Sequence, residues 1–98
     1  MLPGYSFLLE MVDLLGKKWM IPLLSLLYLS GEINFSAIKK QLKITSKTLS
    51  TKLRLLSSSG FVERVAIGSQ MRYSLSRRGK KLGQVLFSLA QKELDGMV

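Results

Sequence analysis

The stretch FSAIKKQLKITSKTLSTKLRLLSSSG, residues 35–60, decides how this chain folds. Phe35, Ile38 and Leu42 fall at i, i+3 and i+7, the spacing of a brief amphipathic helix that turns Lys39 and Lys40 outward. Lys43-Ile44-Thr45 leaves room only for a tight connection. Thr45 is placed to cap a second helix running from Ser46 to about Ser58. In that second helix Leu49, Leu53 and Leu56 recur at i, i+4 and i+7, with Leu55 alongside, and assign one face to a core. Ser46, Lys47, Ser50, Thr51 and Arg54 lie on the opposite face, and none of them is a carboxylate. A solvated face more commonly mixes signs to gain i,i+4 pairs. Gly60 ends the helix, because it reaches a left-handed conformation without a Cβ penalty. Two short helices on a tight turn make a helix-turn-helix.

Downstream, the apolar period changes from 3.6 to 2. Phe61 to Ala66 and Met71 to Leu75 are β-prone and flank Ile67-Gly68-Ser69-Gln70, so a hairpin turning at Gly68 is expected. Tyr73 and Leu75 share one face of the return strand, and Arg72 and Ser74 share the other. Ser76 reads as the N-cap of a last helix reaching about Leu94. That helix carries one apolar stripe of Leu82, Val85, Leu86 and Leu89 and a second of Phe87, Ala90 and Leu94. Two stripes imply two burial partners, one within the chain and one outside it.

Upstream, Tyr5 to Leu15 is helix-like with an apolar arc wider than the ~100° stripe one core needs. After Gly16, Lys18 to Ser30 resumes as a leucine-dense, central helix, ended by Gly31; it either starts near Trp19 or bends at Pro22. Glu32 to Asn34 is a connector with room for one or two strand residues. The sequence of helix, helix, helix, turn, helix, hairpin and helix is a winged helix-turn-helix, mainly α with a small β wing. One domain over residues 1–98 is expected: the helix-turn-helix at about 35–59, the wing at about 61–75, and terminal helices at about 5–15 and 77–94.

Charge locates the working surface. The chain carries +9 overall, yet the segment from Lys39 to Lys81 holds twelve cations against one anion, Glu63, while each flank is close to neutral. A cationic block of this kind is the footprint of a polyanion partner, with nucleic acid first and an anionic membrane second. Cysteine and histidine are both absent from the 98 residues. Thiolate chemistry, zinc fingers and imidazole bases are thereby excluded, and no enzyme activity, metal or cofactor is expected. Glu10 and Asp13 lie at i, i+3 but lack supporting ligands, so they make a poor metal or acid–base pair. The N-terminus does not read as a signal peptide, and the longest apolar run, Trp19 to Leu29, contains Pro22 and Ser25 and is about half of the ~20 residues a membrane span needs. A cytoplasmic, nucleoid-associated protein is expected.

Several motifs carry a family resemblance: Glu10 to Trp19 with its Gly16-Lys-Lys-Trp19 piece, Asn34-Phe35 with Ile38, Ile44 to Arg54, Gly60-Phe-Val-Glu-Arg64 and Tyr73-Ser-Leu-Ser-Arg-Arg-Gly79. Together they resemble HxlR-type transcriptional regulators within the MarR-like winged helices, over roughly residues 8 to 92. The Gly-Phe-Val-Glu-Arg and Tyr-Ser-Leu-Ser pieces are shared by many bacterial and archaeal winged helices, and the Gly-Lys-Lys-Trp piece is the more family-specific. The resemblance implies a regulator that dimerises through its terminal helices. The hairpin tip is about three residues shorter than is usual in that family, and the N-terminal cysteine that members often use to sense oxidants is missing, so thiol sensing is not expected.

The physical roles follow. A helix fits the major groove, so Ser46, Lys47, Ser50, Thr51 and Arg54 are expected to meet base edges and phosphates, or else to form a solvated face. Arg64, Ser69, Gln70 and Arg72 of the wing would flank the minor groove, unless Arg64 and Arg72 face each other across the hairpin. Lys39, Lys40, Lys43, Lys17 and Lys18 suit phosphate contacts. Arg77, Arg78, Lys80 and Lys81 oppose the dipole at the start of the last helix, which hints at an external anion or simple solvation. Trp19, Phe35, Phe61 and Tyr73 are read as core. Phe7, Leu8, Met11, Phe87, Ala90 and Leu94 are expected at a homodimer interface. The reading is a homodimeric, sequence-specific double-stranded DNA regulator, expected to repress from a pseudopalindromic operator, with any small-molecule effector unknown. Its rivals are a sequence-tolerant architectural protein, a protein-interaction winged helix and an anionic-membrane binder.

Overall fold

The computed structural model describes residues 2–96, apart from the side chains of residues 93–95. In chain order the elements are α1 (Tyr5–Leu15), α2 (Met20–Ser30), β1 (Ile33–Asn34), α3 (Phe35–Leu42), α4 (Ser46–Ser58), β2 (Val62–Ile67), β3 (Gln70–Leu75) and α5 (Arg77–Gly96). The strands form one antiparallel sheet in the order β1-β3-β2. This is the winged helix-turn-helix read from the sequence, with β1 adding a short third strand at the sheet edge beside β3.

α2 is the hub. Met20, Leu23, Leu24 and Leu27 are all fully buried, and around them close Ile38 of α3, Ile44 of the turn, Leu49, Leu53 and Leu56 of α4, and Phe61, Val62, Tyr73 and Leu75 from the wing. Burying one such side chain contributes about 1.5–3 kcal/mol. Phe61 and Tyr73 are core residues as expected, while Trp19 and Phe35 are half-buried against the cluster.

Of the two alternatives left by the sequence, the start near Trp19 is the one observed: α2 begins at Met20. Trp19 sits at its N-cap position with φ 77°, a left-handed conformation that a helix interior does not accept. Pro22 is consequently the third residue of α2, in the first turn, where the amide it lacks would have had no partner inside the helix. No bend is required.

The hairpin is tighter than expected. Ile67 pairs with Gln70, leaving Gly68 and Ser69 as a two-residue turn in which Gly68 takes φ 62°. Positive φ at the first central residue alone is the II′ arrangement that matches strand twist. Phe61 lies outside the strand and is buried beneath it. Arg64 stands opposite Tyr73 and Arg72 opposite Val65, so the two arginines occupy opposite faces of the hairpin and do not confront each other.

α5 departs most from its reading. Leu82 and Leu86 turn inward with the buried Gly79 and Gly83, whereas Val85 and Leu89, assigned to the same stripe, are 57% and 62% exposed. The inward face is defined by close approach: a Cβ on Gly83 would lie 2.7 Å from Tyr28 Cδ1. Phe87 packs its ring 5.7 Å from that of Tyr28, and Ala90 is exposed one turn beyond. Leu94, expected at the dimer interface, lies outside the described side chains. At the other end, α1 buries only Leu14 and half-buries Met11 and Leu15, which leaves Phe7 and Leu8 about half exposed.

Candidate nucleic-acid interface

Local hydrogen bonds aim α4. Thr45 Oγ1 accepts from the Thr48 amide at 3.2 Å, the expected cap, and Asn34 Oδ1 accepts from the Ala37 amide at 2.8 Å to start α3. Each cap satisfies one of the orphan amides of a first turn and is worth about 1 kcal/mol. Lys43 makes the corner between the helices in a left-handed conformation, φ 54°, and Ile44 plugs the corner into the core. At the far end Phe61 N donates to Leu56 O and Gly60 N to Ser57 O, the paired bonds of a Schellman ending, with Gly60 at φ 82°. The axis of α4 is thus held at both ends by its own sequence.

With Leu49, Leu53 and Leu56 buried, the opposite face presents Ser46, Lys47, Ser50, Thr51 and Arg54, all exposed. Thr51 Oγ1 donates to Lys47 O at 3.0 Å, so its proton is committed within the helix while the residue stays exposed. Lys39, Lys40 and Lys43 are exposed on α3 and the turn. Ser69 and Gln70 are exposed at the wing tip.

The remaining predicted contacts are more constrained. Arg72 Nε donates to Glu32 Oε1 at 2.7 Å, tying β3 to the connector before β1. Lys17 pairs with Asp13 at 3.7 Å and lines a recess with Leu55 and Ser58 at the C-terminal end of α4, while Lys18 lies 5.6 Å from the Trp19 ring. Arg78 is engaged inside the chain: it donates to Ser59 O and stacks over Phe61.

Arg64 belongs with α4 and not with the outer face of the wing. It shares a recess of about 520 Å3 with Ser50, Arg54, Ser57 and Ser58, floored by Leu53 and Tyr73. Ser57 and Ser58 were passed over in the sequence as the end of a helix. A legible signal existed: Ser50, Arg54 and Ser57 stand at i, i+4 and i+7 and so form one stripe. Among the described residues neither Arg54 nor Arg64 has an ion-pair partner. Among the described residues no group of His, Asp or Glu could hold a metal, and no helix is long and apolar enough to cross a membrane.

A capped helix displaying cations and hydroxyls beside a two-stranded wing defines a winged helix-turn-helix protein. Residues 14–94 match the family model described as HxlR-like helix-turn-helix, and the chain belongs to that family. It is 32% identical over 84 residues to the uncharacterized HTH-type transcriptional regulator BH0655 of Halalkalibacterium halodurans, covering 82% of this chain and 74% of that protein. Its fold is similar to that of quinone-bound YodB from B. subtilis, with TM-score 0.78 and 28% identity over 98% of this chain and 99% of that one. It is also similar to Streptococcus pneumoniae FabT in complex with DNA, at TM-score 0.75, over 96% of this chain and 72% of that one; at 17% identity this likeness concerns the fold alone. The chain is a DNA-binding transcriptional regulator of the helix-turn-helix type, and not an enzyme.

Proposed function

We propose that the chain, as one winged domain over residues 1–98, represses transcription by binding a pseudopalindromic operator sequence-specifically as a homodimer in the cytoplasm. The observation that carries the reading is the outer face of α4, where Ser46, Lys47, Ser50, Thr51 and Arg54 are exposed and no carboxylate intervenes. Lys47 and Arg54 are the donors suited to guanine edges or phosphates, and the wing's Ser69 and Gln70 reach the flanking groove. Lys39, Lys40 and Lys43 contact phosphates as the first helix of the motif crosses the backbone. Dimerisation is supported by apolar area left on both terminal helices: Phe7 and Leu8 on α1, and Val85, Phe87 and Leu89 on α5. Two copies related by a twofold axis would set their α4 helices about 34–36 Å apart.

The test is salt dependence with footprinting. If each protomer neutralises roughly four to six phosphates, the log–log salt slope for a dimer is about −7 to −11, at ~0.9 per phosphate. A slope near −2 excludes the extended interface. The hydroxyl-rich face of α4 favours a second reading, a sequence-tolerant DNA-coating protein, because serine and threonine discriminate bases weakly. Discrete footprints on genomic fragments support the operator reading, and uniform coverage supports the second.

A further inference from the structure

We propose that the recess between the end of α2 and the start of α5 binds a small organic phosphate, its phosphoryl head held by Arg77, Lys80 and Lys81 and its apolar body resting on Tyr28. The recess measures about 450 Å3, within the range of sites for small ligands. Leu27 and Leu75 back its floor but are buried, so the half-buried Tyr28 is the apolar surface on offer. At Gly31 an added Cβ would meet nothing within 4 Å, which leaves the rim open on that side. None of the side chains assigned to DNA lines the recess. Leu75 pairs with Val62 at the foot of the hairpin, whereas Gln70 closes the tip, roughly 16 Å away along β3 at ~3.3 Å per residue.

The cations above this floor are what the fold leaves unexplained. Arg77, Lys80, Lys81 and Gln84 stand at i, i+3, i+4 and i+7, one stripe of α5 without a carboxylate. Like charges at these spacings repel, and the positive end of the helix dipole opposes them again. Their neighbour Arg78 is engaged with Ser59 O and the Phe61 ring, but Arg77, Lys80 and Lys81 have no ion-pair partner among the described residues. The end of α2 brings about half a negative charge, which the start of α5 cancels, so three full positive charges face the recess. Their number selects the head group: a carboxylate carries one charge, whereas a phosphate monoester carries close to two at neutral pH and offers three oxygens. The Arg77 fork suits two of those oxygens, and the lysines act as point charges. Tyr28 selects the body. Its ring is held by the close approach of Gly83, where a Cβ would lie 2.7 Å from Cδ1, and by the Phe87 ring at 5.7 Å, so it is a fixed platform for an apolar or aromatic group.

The test uses the full chain without DNA and 1-naphthyl phosphate as the probe, by calorimetry at constant ionic strength with amide shifts read by NMR. Saturation at one probe per chain is expected, with shifts at Gly31, Lys80 and Gln84. Inorganic phosphate, which lacks the body, and 1-naphthoate, which lacks the second charge, should each bind about tenfold more weakly or worse. Lys80→Gln with Lys81→Gln, both exposed, should lower probe affinity by about tenfold or more. Lys52→Gln with Lys92→Gln removes the same charge elsewhere and should keep affinity within about twofold. Phosphatidic acid vesicles separate two sources of the same chemistry: displacement of the probe gives the site to a lipid head group, and no displacement gives it to a soluble ligand. The proposal is overturned if the probe fails to saturate, if inorganic phosphate or naphthoate binds as tightly, if the Lys80 and Lys81 pair keeps wild-type affinity, or if the two lysine pairs lower it alike.

Discussion

The guanidinium carbon of Arg78 lies 4.4 Å from the centre of the Phe61 ring, while its Nη1 donates to Ser59 O at 3.0 Å. The same head group is 5.5 Å from the Phe7 ring of α1. One side chain at the start of α5 thus holds the end of α4, the entry to the wing and the first helix together. Among the four cations that crowd the start of α5, this one is spent inside the chain.

Arg78→Ala is expected to destabilise the fold by about 1–2 kcal/mol, from a cation–π contact and a charged hydrogen bond that are both partly solvated. For a domain of this size that lowers Tm by roughly 4–10 °C. Arg78→Lys recovers only part, since an ammonium lacks the planar face that stacks on Phe61. Equal Tm values for Lys and Arg at matched protein concentration would remove stacking from the explanation.

Gly79→Ala should be worse than an ordinary helical substitution. A Cβ at Gly79 would run into the Phe61 carbonyl oxygen and lie 3.1 Å from Leu75 Cδ2, both in the wing's base. Although alanine favours a helix by up to ~1 kcal/mol over glycine, forced displacement of packed backbone costs typically 1–3 kcal/mol, so the clash wins. Thermal unfolding is the measurement, and an unchanged or raised Tm refutes the close approach.

Glu32→Gln releases Arg72. Because the pair is partly exposed, stability is expected to fall by no more than about 1 kcal/mol. DNA affinity at low salt should rise, since an anion is removed and a guanidinium freed, and the salt slope should steepen by up to ~0.9 per protomer. Weaker binding would instead show that the ion pair positions the wing for contact.

Thr51→Val separates the hydroxyl from the methyl group. With its proton already given to Lys47 O, Thr51 has no donor to offer a base, and valine keeps a branched methyl at the same position. Specific affinity is expected to change less than about threefold, under 0.7 kcal/mol. A tenfold loss in a quantitative DNA-shift titration would mean that the oxygen accepts from the DNA.

The centre of the molecule was legible because its signals are local. Thr45, Gly60 and the leucine stripe of α4 act within one or two turns, and they set both ends and the buried face of the helix. The wing tip was missed by a residue on each strand because Gly68's φ, not its identity alone, chooses a two-residue turn. Trp19 was unreadable as a left-handed cap, since such a conformation is unfavourable for its type and is upheld only by the packing around it. Arg72 and Arg78 were placed among solvated or DNA-facing cations. Their partners, Glu32 and Ser59, are 40 and 19 residues away, a distance at which no periodicity speaks. The same limit hid the meeting of Arg64 with Arg54, which depends on how the hairpin folds back over α4.

The two inward glycines of α5 are the points at which that helix is pinned to the rest of the chain. From Gly83 to Gly96 it projects roughly 20 Å at 1.5 Å per residue, and beyond Phe87 no described side chain is buried. A swing of ten degrees about the Gly83–Tyr28 contact would carry the tip roughly 3 Å, by the same rise per residue. In the proposed dimer, a contact that shifted these tips would act as a calliper screw on the separation of the two α4 helices.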